Sequence, residues 1–250
     1  MLSSKIISYG LENRNEKVIG GLSLLSASFY SMNISGKVIK NCVLQYNIFR
    51  HSEMRDIEFS GCVISNSNNF WDVSFLNVRF EKNEISESKF ANADFHKCRL
   101  SSNIFKNDTF SSSSHTKTEF IEDSFKDCKF NGSIMDLVSF EKNKIERSEL
   151  KGAQFNKCNF SETNIWKSDF NSGVFLKCEM KEINWGGTGL ENVRFTDCGF
   201  RDVDFAGADL RNAVFSGCEF YGNVNFKDAK NLETVIFENC TEQQTEISQR

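Results

Sequence analysis

Large apolar residues recur at every fifth position through most of this chain. Counting back in fives from Phe220 to Phe70 meets only Phe, Leu, Ile, Met or Trp, with the single exception of His115. One extra residue within "ISNSNNF" shifts the phase, after which Ile64, Phe59, Met54, Phe49, Leu44, Ile39, Ile34, Phe29, Leu24 and Ile19 continue it. Past Phe220 the beat loosens and resumes at Phe226, Leu232 and Phe237. A helix repeats its buried face about every 3.6 residues and a strand every 2, so the period belongs to neither element alone. The residue two places before each large one is mostly small, as at Ala93, Cys98, Ser133, Ala153, Cys158, Gly173 and Ala208. Two residues spaced by two point to the same side of an extended segment, so the small one leaves room for the large one. The other three positions are chiefly polar. One five-residue unit is therefore one side of a tube.

The stretches "ANADFHKC", "DFAGADLRNAVF" and "EFYGNVNF" resemble the pentapeptide-repeat family, whose unit is written A-(D/N)-L-x-x. The resemblance covers roughly residues 19 to 240, and all 25 phenylalanines fall on the beat or its shifted continuation. It implies an all-β fold: a right-handed quadrilateral parallel β-helix, a pentapeptide-repeat solenoid with four units and 20 residues per coil. About eleven coils at about 4.8 Å each give a rod on the order of 50 Å long. The organisation expected is an N-terminal cap over 1–18, the β-helix over 19–240 and a polar tail over 241–250. A solenoid has one continuous core, and the absence of proline suits coils that must all donate backbone hydrogen bonds. The segment "FSSSSHTKTEF" places Ser113 and His115 in core slots, so residues 111–117 are expected to bulge as a loop, with "NWGGTGLENV" the glycine-rich alternative.

The implied 20-residue period orders the remaining chemistry. Cys98, Cys158, Cys178, Cys198 and Cys218 differ by multiples of 20 and stack in one column, as do Asn83, Asn103 and Asn143. All nine cysteines, including Cys42, Cys62, Cys128 and Cys240, fall at the small inward position, which reads as buried hydrophobes and reduced thiols. No C-x-x-C spacing is present, "WGGTG" lacks the lysine of a phosphate loop, and His51 and His96 face outward with no visible partner. Asp108 and Asp123 occupy inward slots where they would bond backbone. These residues give no metal, cofactor or catalytic site, so the expectation is a protein that is not an enzyme.

The outer surface carries the functional candidates. Lys97, Lys117, Lys157 and Lys177 share a column, interrupted by Leu137 and ended by Asp197. Glu122, Glu162, Glu182 and Asp202 share another, with Glu119, Glu179 and Glu219 read as lying beside it. Trp166 faces outward toward Gly186, Gly187, Ala206 and Gly207. Qnr-type quinolone-resistance proteins within the resembled family mimic DNA and bind DNA gyrase or topoisomerase IV, which requires a long acidic face because duplex DNA presents about one charge per 1.7 Å. Here 34 acidic residues oppose 30 basic ones, for a net charge of −4. The terminal "ENCTEQQTEISQR" also lacks the apolar residues of the helix that pairs two rods in that group. The first expectation is therefore a non-catalytic scaffold that binds a protein partner through a rigid face. DNA mimicry toward a topoisomerase stands second, and a secreted effector or a nucleic-acid binder using the lysine stripe stands third. "VIGGLSLLSASF" resembles a leader core, yet Ile19, Leu24 and Phe29 within it are on the beat. Without an apolar run of about 18 residues, and with so many thiols, the chain is expected in the cytoplasm and not in a membrane.

Overall fold

Every unit turns its corner through a residue in the left-handed region. The computed structural model describes residues 17–243, and from Gly21 to Gly222 a positive φ recurs at each fifth residue, in glycine or not. These corners join three-residue strands into a four-sided parallel coil. The first face is a twelve-stranded sheet running from Val18–Gly20 to Thr241–Gln243. The second is eight-stranded, from Ser23–Leu25 to Asn164–Trp166, and continues as single bridges through Asn184, Asp204 and Asn225. The third is made only of single bridges, from Ser28 to Lys230, and the fourth is eleven-stranded, from Asn33–Ser35 to Ile236–Glu238. The only helical turn among the described residues is the 3₁₀ segment Leu232–Thr234.

Register follows the 20-residue period, with Val18 opposite Val38 and Arg79 opposite Arg99. The extra residue read in "ISNSNNF" is taken up at a corner. Gln45 pairs with Ser65 but Ile48 pairs with Asn69, and both Asn66 and Ser67 adopt positive φ. A second insertion follows Gly222, so that Asp204 pairs with Asn225. Where Asn or Asp precedes the large residue, its side chain can take the backbone N–H two residues on. Asn184 Oδ1 accepts from Gly186 N at 2.7 Å and Asp204 Oδ1 from Ala206 N at 2.9 Å. On the second face this local bond competes with the ladder where strands give way to single bridges, at Asn184, Asp204 and Asn225.

Inside, the large residues stack in columns one coil apart. Phe155 and Phe175 lie 4.5 Å apart between ring centroids, and Phe140 and Phe160 lie 4.6 Å apart. The expected bulge at 111–117 does not form: Ser114–Thr116 is a regular strand between Asp94–His96 and Ile134–Asp136. His115 is fully buried, stacks on Phe95 at 4.6 Å and meets Ser113 Oγ through Nε2 at 2.8 Å. A neutral imidazole is flat and aromatic, so it substitutes for phenylalanine in the stack; burial pushes its pKa down to about 3. Residues 1–16 of the expected cap lie outside the described residues. At the other end, Thr241–Gln243, assigned to the tail from sequence, pairs as a further strand with Glu219–Tyr221 because its backbone continues the ladder whatever its side chains.

The corners make a stability prediction. Leu137 sits at φ 56, a conformation that costs a branched L-residue about 1 kcal/mol, and its side chain is exposed. Leu137→Asn is expected to raise the melting temperature by the equivalent of roughly 0.5 kcal/mol, since Asn tolerates this conformation. A lower melting temperature in a thermal scan would show that the leucine is held there by packing instead.

Candidate functional site

The second face, in its C-terminal half, gathers four of the candidate residues singled out from sequence, Glu162, Glu182, Asp202 and Trp166. Glu162, Glu182 and Asp202 occupy successive left-handed corners along its edge with the first face. Lys142 stands in the same column between Glu122 and Glu162 and is ion-paired with Glu141 at 3.6 Å. Glu182 is paired with Lys181 at 3.1 Å, and Asp202 Oδ1 accepts from Asn223 N at 2.9 Å. Across the face lies Trp166, exposed, with Lys167 Nζ 4.3 Å from its ring centroid. A Cβ on Gly186 would stand 2.9 Å from Asn184 Oδ1 and in ordinary contact, at 3.6 Å, with Trp166 Cδ1, so the indole lies beside a shelf of small residues. Gly187, Ala206 and Gly207 extend that shelf toward the C-terminal end. The result is a flat recess with an aromatic wall on one side and a carboxylate edge on the other.

Glu179 and Glu219 do not join this edge. They begin strands of the first face, on the side next to the Lys177 corner, and Lys181, Arg201 and Tyr221 at the strand ends separate them from Glu182 and Asp202. The sequence spacing identified the face but not the side of the strand. Glu219 accepts a hydrogen bond from the Tyr221 hydroxyl, and Arg201 lies over the Tyr221 ring at 5.5 Å. Lys97, Lys117, Lys157 and Lys177 stand at the opposite corner of the first face with Leu137 among them, and none pairs with a carboxylate among the described residues. The acidic and basic columns thus border one strand width, a geometry that weakens the far field of both.

A second cluster escaped sequence reasoning. On the third face, Tyr30, Arg50 and Trp71 follow one another in adjacent coils, Arg50 lying 4.7 Å over the Trp71 ring. His51 meets Tyr30 and Trp71 edge-on, at 5.2 and 5.0 Å, and its Nδ1 is 2.6 Å from Asp72 Oδ2. The spacings are 20 and 21 residues, so a strict 20-residue period hides the column. Applying the phase shift to outward positions as well as inward ones would have revealed it.

Two family profiles match the chain: a pentapeptide repeat region over residues 148–223, and eight copies of the pentapeptide repeat over residues 124–162. The chain is a pentapeptide-repeat protein. Among solved structures it is similar to HetL, a pentapeptide-repeat protein involved in heterocyst differentiation regulation from the cyanobacterium Nostoc sp. strain PCC 7120. That match has 11% identity, covers 98% of this chain and 95% of the other, and has a TM-score of 0.53. Trypsin-treated QnrB1, a plasmid-mediated fluoroquinolone resistance protein, matches at 17% identity over 91% of this chain and 92% of the other, with a TM-score of 0.39. No curated protein matches the sequence.

The interior of this pentapeptide-repeat protein is chemically quiet. Eight of the nine free cysteines are buried and Cys240 is partly so. Burial pushes the Cys62 thiol up to about 11 and the Cys98 thiol to about 12, which leaves little thiolate near neutrality. Ser113 and His115 are within hydrogen-bond reach, but both are sealed in the core with no route for a substrate. Among the described residues, no group of three or more His, Cys, Asp or Glu side chains is arranged to hold a metal ion.

Among the described residues, Asp123 is the one core acid with an idle oxygen. It stands in the column of Asn83, Asn103 and Asn143, whose Nδ2 groups donate to the carbonyls of Phe59, Phe80 and Phe120, each at 2.9 Å. Asp123 Oδ1 accepts from Asn103 N at 2.8 Å, while Oδ2 is buried with no partner. Burial pushes this carboxyl up to about 7. Asp108 is pushed up to about 7 as well, but both of its oxygens accept backbone N–H groups, from Ser88 and Lys106.

Proposed function

We propose that this pentapeptide-repeat protein is a non-catalytic scaffold that presents its second face to a protein partner in a reducing cytoplasm. The reading rests on the recess beside Trp166. An exposed indole beside a shelf of small residues, held by backbone paired on both sides, offers rigid apolar area at little entropic cost, and tryptophan is enriched where binding energy concentrates. The carboxylates of Glu162, Glu182 and Asp202 supply orientation more than affinity, because they lie in water at a rim. Among the described residues, no helix is long and apolar enough to cross a membrane. In pull-downs from the native host, Trp166→Ala is expected to weaken capture of the specific partner about tenfold or more, while Lys97→Ala on another corner leaves it unchanged. Equal capture by the two variants would refute the use of this face.

Binding to DNA gyrase or topoisomerase IV by DNA mimicry is the second reading, favoured by the carboxylates at coil spacing along one edge. Lys142, Lys181 and Arg201 beside that edge oppose it. A supercoiling assay with and without a fluoroquinolone separates the two readings. Inhibition or drug protection that disappears in Glu182→Lys would establish mimicry, and an inert protein would leave the scaffold reading.

A further inference from the structure

We infer that the third face carries a separate interaction surface centred on Arg50, fitted to a partner segment that presents one carboxylate among apolar side chains. The Arg50 guanidinium is held by stacking on Trp71 at 4.7 Å, and its Nε is buried without a hydrogen-bond partner. Its situation differs from that of Arg55, Arg99, Arg147 and Arg211, each of which is ion-paired with a carboxylate of this chain. A guanidinium stacked on an indole keeps its in-plane N–H fork free, and that fork matches a carboxylate with two parallel bonds.

The surroundings determine which ligand fits. His51 bridges Tyr30 and Trp71 edge-on and is itself held by Asp72 at 2.6 Å, so side chains from three coils are fixed before anything binds. Little ordering entropy remains to be lost. The outward residues of this face in these coils are Ser28, Tyr30, Ile48, Arg50, Asn69 and Trp71, a set with one positive charge and no carboxylate. Exposed Tyr46 and Leu25 extend the apolar rim around the corner. Depletion of charge around a Tyr, Trp and Arg core is the composition of a binding hot spot. The nearest acids on the neighbouring corner and strand are already engaged, Asp72 by His51 and Glu53 by Arg55 at 2.8 Å. A second copy of the chain docking on the same patch about a twofold axis would set Arg50 against Arg50, so charge complementarity selects a different, acidic partner.

Two capped pentapeptides test this, Leu-Phe-Glu-Phe-Leu and the same sequence with Gln in place of Glu, titrated into the full chain at up to millimolar concentration. The three tryptophan indole N–H resonances report Trp71, Trp166 and Trp185 separately. The Glu peptide is expected to shift the Trp71 signal and leave the buried Trp185 signal in place, and the Gln peptide to bind roughly five- to tenfold more weakly. Arg50→Gln is expected to erase the difference between the peptides without changing the melting temperature, and Arg50→Lys to restore only part of it. Equal binding of the two peptides, or an unmoved Trp71 signal with both, would overturn the inference. So would a concentration-dependent dimer in sedimentation that Arg50→Gln abolishes, because the patch would then serve self-association. The Trp166 signal and the Trp166→Ala pull-down stand apart from these outcomes, so either surface can fail alone.

Discussion

Asp123→Asn is expected to raise the unfolding free energy by about 3–4 kcal/mol at pH 8 and to change it little near pH 4. In the folded rod the carboxyl titrates near 7 because burial disfavours its charge, whereas in the unfolded chain it titrates near 3.9. Its folded pKa is raised, so the folded state holds a proton that the unfolded state gives up across that interval. Stability from this group is therefore complete below about pH 4 and is lost as the pH rises through 7. The column shows why asparagine relieves the loss. In Asn83, Asn103 and Asn143 the atom equivalent to Asp123 Oδ2 is a donor to a carbonyl one coil back, and the matching carbonyl for Asp123 is that of Leu100. An ionised Oδ2 faces that oxygen with nothing to donate. Urea unfolding at several pH values checks the result, and a variant less stable than the parent at pH 8 would refute it. Asp108→Asn is not equivalent, because its amide would turn a donor toward one of two N–H groups that need acceptors. His115 works in the opposite direction: its folded pKa is depressed, so its contribution is complete above about 6.5 and is lost as the pH falls toward 3.

Phe175→Ala is expected to cost about 3–5 kcal/mol. The ring stacks between Phe155 at 4.5 Å and Phe195 at 4.8 Å and meets Trp185 edge-on at 6.1 Å, so truncation leaves a void bounded by rings that are locked to their own coils. A parallel ladder on the flanking faces prevents those coils from closing in. Each coil contacts only its neighbours, so the weakened step is also expected to lower cooperativity between the halves of the rod and broaden the urea transition. Cys178→Ala, three residues away in a small slot, serves as the control with a loss nearer 1 kcal/mol. A loss of less than about 1 kcal/mol for Phe175→Ala would mean that the columns contribute far less than their stacking implies.

The core was legible because its period is set by the coil. Phe, Leu and Ile recur in phase, and even the added residue in "ISNSNNF" announces itself as a shift that the structure absorbs at Asn66 and Ser67. His115 was misread because a polar letter in a core slot suggests a break, whereas a neutral imidazole can stack like phenylalanine. The Trp166 recess was half legible: its column was visible, and so were the glycines, but the contact of the indole with Gly186 is a matter of backbone proximity. Glu179 and Glu219 were grouped with Glu182 because a column reading does not separate a corner from the start of a strand one side away. The Arg50 surface was invisible for a stricter reason. The insertion between Arg50 and Trp71 breaks the numerical period while preserving the spatial one.

The left-handed corners give the rod a way to measure. Each coil adds about 4.8 Å along the axis, and insertions are confined to corners, where they leave strand register and face order intact. The separation between the Arg50 surface and the Trp166 recess is therefore counted in whole coils. Excising one 20-residue coil between them would bring the two closer by a single step without exchanging the faces that carry them. Two partners gripped at these sites would be held at a spacing written in the number of repeats, which makes chain length itself a heritable dimension of the scaffold.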